Sequence, residues 1–250
     1  IDWNVTAKMG FPFVKQYREE RELTIVLAID ISDSGTWGSG DRTKREKLAE
    51  LGALLAFSAN KNGDKVGLLL FSDQVEKYLP PAKGQKHVLR VLREILFHQN
   101  LSKKTDLNEG LRFVNRVMRR RAVVFLLSDF IIPEYDSKEE SVQELFLKEL
   151  STTRSKHDLV CCQVFDKIEI EIPRVGRVCF EDAETGEIIL INTSNKTFQK
   201  QYQENAHTTQ DTLVRQMRRR GIDNFQFSTD SDYAKALQGF FQTRVNRRGR

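Results

Sequence analysis

Four near-continuous apolar segments, separated by helical patterns, constrain the fold of this chain more than any other feature. They span residues 23–29, 65–71, 122–127 and 158–165. Strands without polar alternation are buried on both faces, as in parallel sheets that helices cover. The sequence therefore predicts an α/β fold, with a central, mostly parallel sheet and helices on both faces.

The segments between these strands carry helical spacing. We predict helices over residues 42–60, 85–97, 107–120, 137–152, 196–220 and 233–241, a short strand over 75–79 and a last strand over 224–227. In the first helix, one apolar face follows the 3.6-residue period. Its members are Leu48, Leu51, Leu54, Leu55 and Ala59.

The pattern changes after residue 165. Residues 168–172 alternate strictly between isoleucine and glutamate, which is typical of a half-exposed strand. Residues 177–180 and 187–191 flank a turn-rich loop at 182–186. We therefore predict an antiparallel β ribbon, added to the main sheet, over about residues 166–192.

Composition excludes several classes of protein. The longest apolar runs of the 250 residues are strand-sized, so we expect no membrane span, and no signal peptide is visible. Cys161, Cys162 and Cys179 form no C-x-x-C pair, which indicates small apolar residues in a reducing, cytoplasmic compartment. The chain does not begin with Met, so we expect a fragment from which an upstream anchor or targeting segment has been lost.

The net charge of +5 comes partly from three arginine runs, at residues 119–121, 218–220 and 247–248. The first two end predicted helices, where cations complement the helix dipole. No aromatic residues interleave these runs, so a base-stacking surface is not indicated. Nucleic-acid binding therefore stays open only as the less favoured interpretation of the arginines.

Oxygen-bearing side chains follow two of the predicted strands. Asp30, Ser32 and Ser34 come directly after the first strand, and Asp129 follows strand 122–127. Thr105 lies in a polar loop just before a predicted helix. Ligands of open parallel sheets bind beyond the carboxyl ends of the strands, where these loops would meet. Carboxylate and hydroxyl oxygens suit a hard divalent cation such as Mg²⁺.

This constellation resembles the metal-ion-dependent adhesion site of a von Willebrand factor A domain, a Rossmann-like fold. That site combines D-x-S-x-S after the first strand, a threonine from a second loop and an aspartate from a third. The resemblance implies that Ser32 and Ser34 ligate Mg²⁺, or Mn²⁺ or Ca²⁺, directly. It implies that Thr105 ligates the cation directly or through water, and that Asp30 and Asp129 contact it or hold its waters.

A closer resemblance covers nearly the whole chain. The strings at residues 1–4, 20–24, 105–107 and 229–233 are similar to those of the bacterial family called domain of unknown function 58. In that family the Ile1-Asp2-Trp3 segment follows an N-terminal stretch that is absent here. The resemblance implies a von Willebrand A-like domain over residues 23–250, preceded by a short segment at 1–22. It also implies a cytoplasmic or membrane-tethered accessory role beside a MoxR-type AAA+ ATPase.

The donor set favours binding over catalysis. Only two of the five expected ligands are carboxylates, so a cation here would stay electrophilic and keep a position open for an acidic residue of a partner. We therefore predict a metal-dependent protein-interaction module, with no small-molecule substrate and no enzymatic activity. The four histidines are scattered and form no ligand spacing.

A metal-dependent hydrolase is the alternative from another class. Its motivation is Asp33, an extra carboxylate between the two serines, with Asp106 as the other nearby candidate base. Asp33 would either tighten metal binding and repel an acidic partner, or face solvent or cap a turn. The glycine-rich loop at residues 35–40 is predicted to be flexible, with Trp37 as an exposed contact residue.

Overall fold

A computed structural model describes residues 22–36, 38–102, 104–131, 140–181 and 188–248. Its strands, in chain order, are β1 (Thr24–Asp30), β2 (Lys65–Phe71), β3 (Val75–Ala82), β4 (Val123–Ser128), β5 (Asp158–Phe165), β6 (Arg177–Glu181), β7 (Ile188–Asn192) and β8 (Asp223–Ser228). Its helices are α1 (Lys44–Lys61), α2 (Gln85–Phe97), α3 (Leu107–Val117), α4 (Glu140–Lys156), α5 (Lys167–Ile170), α6 (Lys196–Arg219) and α7 (Tyr233–Arg248). A 3₁₀ turn covers Asp33–Thr36.

The main sheet has six strands in the order β3-β2-β1-β4-β5-β8. All neighbours are parallel except β3, which runs antiparallel to β2 at one edge. The chain passes from β1 to β2 on one side and later returns to β4 on the other. The strand order therefore reverses at β1, and the carboxyl ends of β1, β2 and β4 lie side by side.

Helices cover both faces of this sheet, as predicted. Alternate residues of β1 point to opposite faces, so Leu27 and Ile29 pack in one core and Val26 and Ala28 in the other. The first core is closed by α1, α2 and α7, and the second by α3, α4 and α6. On α1, Leu54 departs from the predicted apolar face, since it is 40% exposed.

Most predicted boundaries lie within a few residues of the observed ones, with informative exceptions. The strand predicted over residues 75–79 continues to Ala82. It includes Pro80 and Pro81, which are tolerated because β3 is an edge strand. Helix α3 ends at Val117, before the arginine run at residues 119–121. Cys161 and Cys162 lie buried in β5, whereas Cys179 of β6 is exposed.

The prediction of a strand at residues 168–172 is wrong. Lys167–Ile170 forms the short helix α5 instead. Asp166 caps this helix by accepting from the Ile168 amide at 3.0 Å, and the Glu169 side chain accepts from the Asp166 amide at 3.0 Å. This reciprocal capping box supplies local partners that an unpaired strand would lack.

The predicted ribbon is present, but it forms a sheet of its own. Strands β6 and β7 pair antiparallel with each other and with no strand of the main sheet among the described residues. Trp37, the N-terminal segment and the turn at residues 182–186 lie outside the described residues. No helix in the described part of the chain is long and apolar enough to cross a membrane.

Candidate metal site

The loop after β1 is fixed by hydrogen bonds to the Asp30 carboxylate. Asp30 is 5% exposed, and its Oδ1 accepts from the Ser32 amide at 3.0 Å. Its Oδ2 accepts from the Ser128 hydroxyl of β4 at 2.8 Å. The Ser32 and Ser34 hydroxyl oxygens lie 3.0 Å apart. Three of the five predicted ligands are therefore brought together by the first loop.

Asp129 follows β4 directly and is 4% exposed. Its Oδ1 accepts from the Ile131 amide at 3.1 Å. The next residue, Phe130, has a φ of 58°, a conformation that is strained for a bulky side chain. Its amide donates to Ser128 Oγ at 2.9 Å, so the hydroxyl that holds Asp30 also fixes this turn.

Thr105 lies beside the same edge of the sheet. The amide of Asp106, its neighbour, donates to the carbonyl of Ser72 at 3.0 Å. Ser72 follows Phe71, which pairs in register with Asp30. Thr105 Oγ1 is buried and has no hydrogen-bond partner among the described residues. A buried hydroxyl without a partner is costly, which fits an oxygen that would ligate a cation.

The two carboxylates of this cluster influence one another. Burial raises the pKa of Asp30, and the negative charge of Asp129 adds to it, giving a pKa of about 6. Hydrogen bonds from Ser32 and Ser128 act in the opposite direction. A divalent cation held by Asp30 and Asp129 would offset both the burial of the charge and the repulsion between the carboxylates.

No group of three or more His, Cys, Asp or Glu side chains in the described ranges is arranged to hold a metal ion. A cation at this edge would therefore depend on the hydroxyls of Ser32, Ser34 and Thr105 as much as on Asp30 and Asp129. Oxygen donors of this kind fit Mg²⁺ or Mn²⁺ rather than zinc. We call these five residues the candidate metal site.

Sequence reasoning missed a lysine that contacts this site. Lys44, the first residue of α1, is buried, and its Nζ lies 2.6 Å from Asp129 Oδ2 and 2.6 Å from Glu169 Oε1. Burial lowers the pKa of Lys44, but the charges of Asp129 and Glu169 outweigh this effect and raise the pKa overall. In the sequence, only the capping box of Thr43 and Glu46 could have pointed to Lys44, because it marks Lys44 as the first residue of the helix.

The carboxylates of Asp33 and Asp106 both accept hydrogen bonds from this chain. Asp33 is half-buried, and its Oδ1 accepts from Asn100 Nδ2 at 2.6 Å, which ties the first loop to the loop before Thr105. Asp106 Oδ1 accepts from the Asn108 amide at 2.8 Å and so caps α3. Both carboxylates therefore join loops or cap a helix.

The glycine-rich loop after β1 is held at Ser39. The Ser39 amide and hydroxyl both donate to Asp166, which also accepts from Thr229 Oγ1 at 2.9 Å. Burial would raise the pKa of Asp166, but these hydrogen bonds outweigh it and lower the pKa. Asp166 thus joins the loops after β1, β5 and β8 beside the candidate metal site.

Comparison with solved structures identifies the fold. BatB from Bacteroides thetaiotaomicron, a conserved hypothetical protein, matches with a TM-score of 0.55 and 14% identity, over 90% of this chain and 99% of that one. The minor pilin PilB from Streptococcus sanguinis matches with a TM-score of 0.52 and 9% identity, over 93% and 62%. At these identities the likeness shows the fold alone, which is von Willebrand factor A-like.

Sequence comparison identifies the family. The "Uncharacterized protein Rv1480" of Mycobacterium tuberculosis is 26% identical over 251 residues, which cover 100% of this chain and 75% of that protein. The "Uncharacterized protein MAV169" of Mycobacterium avium is 25% identical over 144 residues, covering 58% and 78%. The family model described as "Protein of unknown function DUF58" matches residues 1–212. The chain therefore belongs to the DUF58 family, with a von Willebrand factor A-like fold.

Proposed function

We propose that this chain is a metal-dependent protein-interaction module that binds a divalent cation at the candidate metal site. The observation that carries the proposal is the buried, unpartnered Oγ1 of Thr105 among the described residues. It lies at the sheet edge that also holds two buried carboxylates and the paired hydroxyls of Ser32 and Ser34.

The chain's own residues would hold and orient the cation. Ser128 and the Ser32 amide fix the Asp30 carboxylate, and the Ile131 amide fixes Asp129. When bound, the cation would supply an electrophilic position that accepts a carboxylate from a partner.

The cavity beside Asp129 is small for a small-molecule substrate. Lined in part by Asp129 and Glu169, it holds about 190 Å³. Sites for small molecules usually measure roughly 300–1,000 Å³. The hydrolase alternative has no specific support, because Asp33, which motivated it, is engaged with Asn100.

For the partner we propose a MoxR-type AAA+ ATPase, with this chain as its accessory protein. The basis is the family resemblance of the sequence together with an electrophilic site at the surface end of the sheet. Binding to the purified ATPase of the host should then require a divalent cation and be abolished by chelator.

Metal binding is tested by isothermal titration with Mn²⁺ alone. We expect the wild type to bind one Mn²⁺ and the double variant Ser32→Ala/Ser34→Ala to lose at least tenfold in affinity, because two ligand oxygens are removed. The matched control is Ser151→Ala/Ser155→Ala, whose hydroxyls donate to helix carbonyls of α4. Equal Mn²⁺ affinity in the wild type and in the Ser32/Ser34 variant would contradict the proposal.

A further inference from the structure

Lys44 is the most unusual ionised side chain near the site. It is only 2% exposed, although lysines are almost never fully buried without a partner. Taking an ammonium group out of water is costly unless close negative charges offset it. Its Nζ has two such charges at 2.6 Å, Asp129 Oδ2 and Glu169 Oε1.

The position of this ammonium group is fixed from both sides. At the start of α1, the Thr43 hydroxyl accepts from the Glu46 amide at 3.2 Å, and the Thr43 amide donates to Glu46 Oε2 at 2.9 Å. On the other side, Glu169 Oε2 accepts from the Asp166 amide at 3.0 Å. The first capping box therefore fixes the start of α1, from which Lys44 extends, and the second holds the Glu169 carboxylate.

This arrangement reduces the ability of the Asp129 carboxylate to bind a metal ion. Oδ1 of Asp129 already accepts from the Ile131 amide, and Oδ2 already accepts from Lys44. The ammonium group also supplies a full positive charge to a carboxylate that would otherwise attract the divalent cation. Glu169 has the opposite effect on Asp129, because it attracts the same ammonium group and so weakens its hold on the Asp129 carboxylate.

We propose that Lys44 is a built-in cation that competes with the divalent ion for Asp129, and that Glu169 sets the strength of this competition. The inference rests on the proposed function, since it concerns the affinity of the same site. Lys44 is thus a positioning residue: it acts on the metal through Asp129. Weak intrinsic affinity would make firm metal binding depend on the carboxylate of a partner.

The test compares the Mn²⁺ affinity of two variants that should move in opposite directions. Lys44→Met frees Asp129, so we expect Mn²⁺ to bind at least tenfold more tightly than to the wild type. Glu169→Gln leaves Lys44 with Asp129 alone, so we expect binding about threefold to tenfold weaker. Lys61→Met removes the same charge at the exposed end of α1 and should leave the affinity within twofold of the wild type.

Each outcome of this experiment decides the inference. Tighter binding by Lys44→Met together with weaker binding by Glu169→Gln supports it. Unchanged or weaker binding by Lys44→Met overturns it, because a purely structural ion pair predicts that result. If Lys44→Met does not fold, Glu169→Gln decides alone, and unchanged affinity there overturns it.

The failure of this inference is distinguishable from the failure of the proposed function. If the wild type binds Mn²⁺ and Ser32→Ala/Ser34→Ala does not, the site stands whatever the Lys44 variants do. If no protein in the set binds Mn²⁺, both the site and the competition are overturned.

Discussion

Ser128 shows how one hydroxyl can organise the candidate metal site at the scale of single residues. It donates to Asp30 at 2.8 Å and accepts from the Phe130 amide at 2.9 Å, and it is fully buried. It therefore holds a carboxylate on β1 and the strained turn after β4 at the same time.

Replacing Ser128 by alanine should lower the free energy of unfolding by about 1–3 kcal/mol, because buried polar groups are left unsatisfied. Urea denaturation of both proteins measures this difference. Ser155→Ala, whose exposed hydroxyl donates to the Thr152 carbonyl, should change it by less than about 0.5 kcal/mol. Equal losses in the two variants would show that the bridge between Asp30 and Phe130 contributes nothing.

For single residues, the sequence predicts candidate metal ligands better than it predicts which side chains they contact. The five residues of the candidate metal site are recognisable in the sequence because each follows a predicted strand or precedes a predicted helix. Lys44 looks like any of the 40 lysines and arginines, since its burial depends on Glu169, which lies 125 positions away. The contact of Asp33 could not be predicted for the same reason, since its partner Asn100 lies 67 positions away.

Helix α5 and its cap connect several loops at the edge of the sheet that carries the candidate metal site. Its cap, Asp166, accepts hydrogen bonds from Ser39, Ile168 and Thr229. Its third residue, Glu169, reaches Lys44. Asp166 and the short helix that it caps therefore join the loops after β1, β5 and β8 to the start of α1.

The Asp166→Ala variant should lose more stability than the loss of a helix cap alone. We expect a decrease on the order of 2–4 kcal/mol, because the helix cap and the hydrogen bonds from Ser39 and Thr229 disappear together. Asn195→Ala is the matched control: Asn195 caps α6 at an exposed position, and its loss should cost about 1 kcal/mol. Chemical denaturation measures both, and a decrease for Asp166→Ala no larger than that of Asn195→Ala would contradict the bridging role.

Helix α5 also shows why element prediction fails where it does. Alternating isoleucine and glutamate at residues 168–172 is compatible with a strand, but a strand needs a neighbour with which to pair. The capping box of Asp166 and Glu169 was equally visible in the sequence. By contrast, the buried parallel strands were predictable, because uninterrupted apolar runs leave few alternatives.

For the molecule as a whole, the strand order places the site where three separate stretches of chain meet. Residues 30–34, 105 and 129 come from three segments that are spread over nearly 100 positions of the sequence. Their convergence follows from β1 lying between β2 and β4. A cation held by all three would bind the folded chain and not the unfolded one, and so would stabilise the whole domain.

Thermal unfolding should therefore depend on the divalent cation. At Mn²⁺ concentrations about 100 times the dissociation constant, binding adds about 2.7 kcal/mol, which for a chain of this size corresponds to a Tm increase of roughly 5–10 °C. Differential scanning calorimetry with Mn²⁺, and again after excess EDTA, measures the shift. The Ser32→Ala/Ser34→Ala variant should show no comparable increase at the same Mn²⁺ concentration. An equal increase in that variant would place the stabilising cation elsewhere on the chain, because the variant lacks two of the five proposed ligand oxygens.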